Sequence, residues 1–282
     1  MSSRCPDRLT IACALGSALA LAVPCAAAER TLRVCAEPDN LPLSNQQQTG
    51  FENRIARLLA DELHARLVYE WQPQRRGFVR KTLGEDVCDA WIGVPAGFER
   101  MLTTRPYYRS GYVFVNRADA GAPLRSFADP RLATLRIGVQ LIGDDLAATP
   151  PALALARAGA VDRVVGYTVY GEGSAAARIS ADLAAGKLDA ALVWGPQAGY
   201  FTDHGAARLA LTPAVAPPGF ALPFAFAIAV GVKKGDVDLQ RALDAALVRR
   251  AAEVDAVLDA FHVPRIGAAT RTAAAEAEAP RP

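Results

Sequence analysis

The feature that most constrains this chain is an alternation of strand-like and helix-like segments that runs through twice. In the first unit, Leu32 to Glu37 has strand character, and Phe51 to His64 places Phe51, Ile55, Leu58, Leu59 and Leu63 at helical spacing. Arg66 to Gln72 alternates Leu67, Tyr69 and Trp71 with polar neighbours, Phe78 to Val87 suits a helix, and Asp89 to Pro95 a buried strand. That β-α-β-α-β order predicts a parallel sheet with helices on its faces. A strand at Gly111 to Arg117 follows, and then a Gly- and Pro-bearing stretch to Pro130. The pattern then restarts with strands at Leu135 to Gln140, Val164 to Val169 and Leu188 to Trp194. Helices are expected at Pro151 to Ala158 and Ser174 to Ala185, with Ser174 as an N-cap. A second loose stretch, Pro213 to Pro223, leads to a strand at Phe224 to Val232 and a helix from about Asp236 to Phe261. Two such units joined by two crossings predict an α/β bilobal architecture of two parallel-rich sheets flanked by helices. Residues 29–117 and 222–266 form a discontinuous lobe 1, and residues 118–221 form lobe 2.

The ends of the chain read differently. Arg4 and Arg8 precede an apolar run from Leu9 to Val23, and Ala26-Ala27-Ala28 supplies a small-residue cleavage pattern. This is the layout of a secretory signal peptide over residues 1–28, cleaved near Ala28. Cys25 could instead be a lipidated residue, but Pro24 stands where that signal wants a small side chain. From Gly267 the chain is rich in Ala, Glu and Pro with no aromatic to bury, and residues 267–282 are expected to be a disordered tail. No later segment is long and apolar enough for a membrane span.

Export decides how the cysteines are read. Of five, cleavage leaves Cys35 and Cys88, and an even pair in an oxidising compartment points to a disulfide. His64, His204 and His262 are scattered, with no ligand spacing for a metal. The formal charge of +2 falls to +1 on cleavage, which argues against nucleic acid as a partner. There is no Gly-x-Ser-x-Gly elbow and no paired set of catalytic groups. Gly171-Glu172-Gly173-Ser174 lacks the Lys of a phosphate loop, so no cofactor is expected.

In sheets of this kind ligands sit at the C-terminal ends of strands. That places the loops at 38–51, 95–100, 141–150, 170–174 and 195–200 around a cleft. Glu37, Asp39 and Asn40 are either polar ligand contacts or turn residues around Pro38. Arg100, near Arg105 and Tyr107-Tyr108, is either an anion-facing Arg between aromatic walls or an ion-pair partner of Glu99 or Asp89. Gln140 ends a strand of the second unit. Asp144, beside Gly143 and Asp145, is either a cation-facing acid or a first-turn acid favoured by the helix dipole. Trp194 and Tyr200, flanking Gly195-Pro196, are either a stacking wall for a planar ligand or ordinary packing. Arg75-Arg76 and Arg80-Lys81 are either an anion or partner patch or a solvated helix start.

Longer motifs add a resemblance. LRVCAEPDNLPLSN (32–45) with GFENRIARLLADEL (50–63) resembles the start of periplasmic amino-acid-binding proteins. WQPQRRGFVRKTL (71–83), CDAWIGVPAGFERMLTTRPYYRSGYVFV (88–115), LRIGVQLIGDDLAATPPALALARAG (135–159) and VWGPQAGYF (193–201) resemble one subgroup. It comprises the solute-binding-like proteins associated with PQQ-dependent quinoprotein dehydrogenases, the MxaJ/XoxJ group of methanol-oxidising bacteria. The resemblance covers about residues 31–266. It implies a type II periplasmic binding-protein fold and a non-enzymatic, accessory role toward a methanol or alcohol dehydrogenase, whose subunit is then the expected partner. Amino-acid binders carry an Arg after the third strand, for which Arg100 is the nearest match at a shortened spacing. They also carry an Asp after the last strand of lobe 2, where this chain reads Trp194-Gly195-Pro196. A buried ammonium with no carboxylate partner costs several kcal/mol, so a free α-amino acid is disfavoured. The competing functions are a transporter's binding subunit carrying a different small solute in the cleft and, more remotely, an enzyme on the same fold.

Overall fold

The structure is a computed structural model and describes residues 30–73, 77–142, 147–168 and 174–267. The expected signal peptide, Arg75-Arg76, Asp144 with its neighbours, Gly171-Glu172-Gly173 and the tail beyond Gly267 lie outside the described residues. In chain order the elements are β1 (Thr31–Ala36), β2 (Asp39–Asn40), β3 (Ser44–Asn45), α1 (Phe51–Glu62), β4 (Arg66–Trp71), α2 (Phe78–Lys81) and β5 (Ala90–Pro95). There follow β6 (Leu102–Thr103), β7 (Tyr108–Arg117), β8 (Ile137–Ile142), β9 (Ala147–Ala148), α3 (Pro150–Arg157), β10 (Val164–Thr168), α4 (Ala175–Ala184) and β11 (Ala190–Trp194). The chain closes with α5 (Gly195–His204), β12 (Leu209–Pro213), β13 (Ala225–Val232), α6 (Val237–Arg249) and α7 (Ala251–Ala260).

Both parallel units form. β1 pairs in parallel with β4 and β5, and β8 does so with β10 and β11. The two parallel-rich sheets, one per unit, are joined through β7 into one hydrogen-bonded path in the order β10-β8-β11-β7-β13-β5-β1-β4. The join is antiparallel. β7 pairs through Tyr108–Gly111 with Ile228–Ala225 of β13, and through Tyr112 to Val115 with β11 of the second unit. β12, absent from the sequence reading, lies antiparallel on the far half of β7. One long strand therefore serves both lobes.

Each lobe closes its own apolar core. In lobe 1, Leu32, Val34 and Ile92 of the sheet meet Phe51, Ile55 and Leu59 of α1 and Leu243 and Leu258 of the last helices. In lobe 2 the sheet is covered on both faces. Ala190 and Leu192 of β11 join Phe114, Ile137 and Leu155 on one face, while Ala191 and Val193 join Val113, Ile179 and Leu183 on the other. That two-residue alternation within an apolar run is what a strand covered on both sides requires.

Four local expectations are corrected. The helix expected over Phe78 to Val87 is a single turn, α2, followed by a short 3₁₀ segment at Leu83–Glu85; Asp86 adopts a left-handed φ of 56° that ends it. The long last helix is broken at Arg250 into α6 and α7. The strand at 135–140 is displaced to Ile137–Ile142. The stretch at 195–200 is the start of helix α5, for which Pro196 in the first turn is a preorganised beginning.

Candidate functional site

The C-terminal ends of β1 and β5 face those of β8 and β11, and the turn after β1 builds the near wall. There β2 and β3 form a small hairpin seated on α1. The backbone N–H of Asn45 donates to Asn53 Oδ1 at 3.1 Å, and Ser44 Oγ donates to the carbonyl of Glu37 at 2.9 Å. Glu37 and Asn40 are buried, and Asp39 points outward.

Asn40 begins a relay of amides that runs from one lobe to the other. Gln197 Nε2 donates to Asn40 Oδ1 at 3.0 Å, and Gln140 Nε2 donates to Gln197 Oε1 at 2.8 Å. Gln140 Oε1 in turn accepts the backbone N–H of Trp194 at 3.2 Å. The three side chains are 4 to 7% exposed. The relay thus joins the β2 turn to β8, β11 and α5. Of the residues singled out from sequence, it unites Asn40, Gln140 and the backbone of Trp194. Its central member, Gln197, is not among the residues the sequence singles out, because the pattern over 195–200 reads as loop where the chain forms α5. The available signal was Pro196, which starts a helix and brings Gln197 inward from its first turn.

The aromatic candidates are committed to packing. Trp194 lies edge-on between Tyr112 at 5.4 Å and Phe226 at 5.9 Å, beside the crossing strands. Tyr200 stacks on His204 at 4.1 Å and on Phe261 at 5.5 Å, and Phe261 continues to Phe51 at 5.8 Å. This second row ties α5 to lobe 1. The helix also lies against the segment after α7: a Cβ on Gly199 would fall 2.0 Å from the carbonyl oxygen of His262. His262 Nε2 meets Asp203 at 2.9 Å.

Arg100 is exposed and forms no ion pair with a described residue. Neither expected partner takes it: Asp89 is held by Arg33 at 2.5 Å, and Glu99 is exposed beside it. Arg105 turns to Asp244, whose Oδ1 accepts its backbone N–H at 2.7 Å. Tyr107 packs on Tyr108 at 5.1 Å, and its hydroxyl is buried near the backbone of Gly93.

A second group that sequence reading passed over is Glu52, in the first turn of α1. Its carboxyl is buried against Gly93 of β5, where a Cβ would sit 2.0 Å from Oε1 and where φ is +82°. Only glycine fits both the space and the backbone. Burial pushes the Glu52 carboxyl up to about 8, so it is neutral at pH 7. Burial also raises the phenols of Tyr69, Tyr107 and Tyr108, and a charge on Glu52 would raise each further. The signal was present: Glu52 stands three, four and seven residues before Ile55, Ala56 and Leu59 on the buried stripe.

Cys35 and Cys88 form the expected disulfide, with Cα atoms 5.6 Å apart. Among the described residues no group of acids, histidines and cysteines could hold a metal ion, and no helix is long and apolar enough to cross a membrane.

No protein-family model matches the chain. Individual relatives do. Protein MoxJ of Methylorubrum extorquens is 32% identical over 249 residues, spanning 83% of this chain and 81% of that protein. Protein MoxJ of Paracoccus denitrificans is 33% identical over 273 residues, spanning 89% and 95%. Among solved structures, the periplasmic binding protein XoxJ from Methylobacterium extorquens AM1 is 37% identical with a TM-score of 0.69, covering 84% of this chain and all of that one. MxaJ from Methlophaga aminisulfidivorans MPT is 26% identical with the same TM-score and the same coverage. An ancestral cationic amino acid solute-binding protein shares the fold at 19% identity and a TM-score of 0.62, covering 82% of this chain and 95% of that one. The chain belongs to the MoxJ family of proteins with the bilobal periplasmic binding-protein fold, with XoxJ and MxaJ as its structural counterparts.

Proposed function

We propose that this chain is exported to the periplasm, with cleavage near Ala28, and serves as a binding-type accessory protein of a PQQ-dependent methanol or alcohol dehydrogenase. It aids maturation or activation of that enzyme through protein contact and performs no catalysis of its own. On this reading residues 29–117 with 222–266 make one lobe and residues 118–221 the other, with β7 pairing into both.

Membership of the MoxJ family supports the association. The observation that carries the reading is the amide relay. Where amino-acid binders hold a ligand's ammonium with an Asp after the last strand of lobe 2, this chain runs through Gly195-Pro196 into α5. There Gln197 answers Asn40 across the lobes. The buried polar groups are satisfied by one another, so a small solute entering there must break hydrogen bonds before it makes any. Trp194 is packed between Tyr112 and Phe226, and Tyr200 between His204 and Phe261, so neither ring is left open for a ligand to stack on.

Native mass spectrometry on the mature protein, gently purified from its own periplasm, tests this. The expected spectrum contains a complex with a quinoprotein dehydrogenase subunit and no small-molecule adduct. A monomer carrying a stoichiometric small adduct would overturn the reading in favour of a transporter's solute-binding subunit.

A further inference from the structure

Lobe 2 carries an apolar groove that no described residue fills. The return crossing after β12 lays Val215, Pro217, Pro218 and Phe220 opposite Phe127 and Ala154, around a depression of about 530 Å³. It continues past Arg157 and Phe220 into a second depression of about 520 Å³ edged by Leu153 and Leu222. Val215 is 73% exposed, and Leu153 and Leu222 are each 41% exposed. Scattered exposed apolar residues are ordinary, but a contiguous strip with an aromatic floor marks a contact surface.

The charge around it is one-sided. Arg125 and Arg157 edge the groove, and no carboxylate among the described residues lines it. Arg125 has no acidic partner among those residues, and Arg157 lies over the Phe220 ring at 5.6 Å. Elsewhere in the same lobe Asp129 holds Arg131 at 2.7 Å and Asp189 holds Arg136 at 3.0 Å. Guanidinium groups beside aromatic and proline surface favour carboxylates on an apolar chain. Pro217 and Pro218 open a turn closed by the Phe220 N–H on the Pro217 carbonyl at 3.1 Å, so the wall is preorganised and little order is lost when something docks.

We infer that this groove is the docking site for an extended acidic and apolar segment of a partner protein. The inference rests on the accessory role proposed above and says where that contact is made.

The probe is a labelled peptide alternating glutamate with leucine and phenylalanine, paired with a control in which lysine replaces each glutamate. Both are titrated into the full mature protein and into R125E/R157E and V215D, all surface changes. Equal thermal midpoints confirm that the variants fold. Wild type is expected to bind the acidic peptide at least tenfold more tightly than the basic one. R125E/R157E should abolish or reverse that preference, and V215D should weaken both peptides. Equal binding of the two peptides, or equal binding by wild type and variants, would overturn the groove as a docking site. So would a concentration-dependent dimer in sedimentation that V215D disrupts, since a second copy would then be the occupant. The dehydrogenase separates the two proposals. If wild type ignores it while peptide selectivity holds, the accessory role fails and the groove stands. If R125E/R157E binds it as wild type does, the groove is not where it docks and the inference fails.

Discussion

Glu52 gives the folded chain a pH dependence that a surface carboxylate would not. Its carboxyl is held near 8 by burial against an ordinary value of 4.5, so between those values the folded state keeps a proton that the unfolded state releases. Stability from this group is therefore complete below about pH 4.5 and is lost as pH rises toward about 8, at up to about 1.4 kcal/mol per pH unit. The groups facing it, Tyr69, Tyr107 and Tyr108, are raised above 10 and do not titrate in that window. Glu52→Gln keeps the shape and removes the proton. Urea unfolding at pH 5, 6, 7 and 8 should show wild type weakening with pH and the variant changing far less. Parallel pH profiles would mean that the carboxyl is solvated or paired in solution.

At the scale of elements, two attachments hold the fold beyond its cores. The disulfide ties β1 to the chain entering β5 and closes a loop of 53 residues. Replacing both cysteines by alanine should lower unfolding stability by about 4 kcal/mol on the chain-entropy account, less any residual order in the unfolded chain. An unchanged denaturation midpoint would show that the bond constrains nothing. The second attachment is the close approach of α5 to the segment after α7. Gly199→Ala drives a methyl into the carbonyl of His262, and is expected to cost about 1 to 3 kcal/mol by overpacking; calorimetry would check it. These two differ in how far sequence could foresee them. The disulfide followed from the count left after export, and the parallel units followed from periodicity, because both depend on residue type and local spacing. The α5 contact depends on which backbones meet in space. Nothing in a Gly at 199 says that residue 262 will lie against it. The same limit hid β12, whose Leu209 to Pro213 pattern is weak until β7 supplies an edge, and Gln197, whose partners stand 57 and 157 positions away. Asn40 and Gln140 were legible only as strand-end polar residues, and not as members of one chain of hydrogen bonds.

For the whole molecule, the question is what sets the angle between the lobes. The strand common to both is β7, which pairs with β13 of the first unit and β11 of the second, so the lobes join along it. Two sets of contacts brace it. On the cleft side stands the relay from Asn40 through Gln197 to Gln140, and at α5 stand the Tyr200–Phe261 stack and the Asp203–His262 contact. The second set is aromatic and partly exposed polar contact, which resists separation but has little angular preference. The relay is directional and buried. Removing its centre strands two amides at once, each a loss of about 1 to 3 kcal/mol while they stay buried. The cheaper outcome is for the lobes to part and let water satisfy Asn40 and Gln140. Gln197→Leu, close in volume and without polar atoms, should therefore leave each lobe's core intact while raising hydrogen exchange in the 39–45 hairpin and the first turn of α5, with a larger radius of gyration by small-angle scattering. Gln197→Glu is the companion variant, since it keeps an acceptor for Gln140 but loses the donor to Asn40. An intermediate increase in exchange would assign the brace to the Asn40 contact specifically. If both variants exchange and scatter as wild type does, the relay merely fills the cleft, and the lobe angle is set by α5 and its contact with the C-terminal segment.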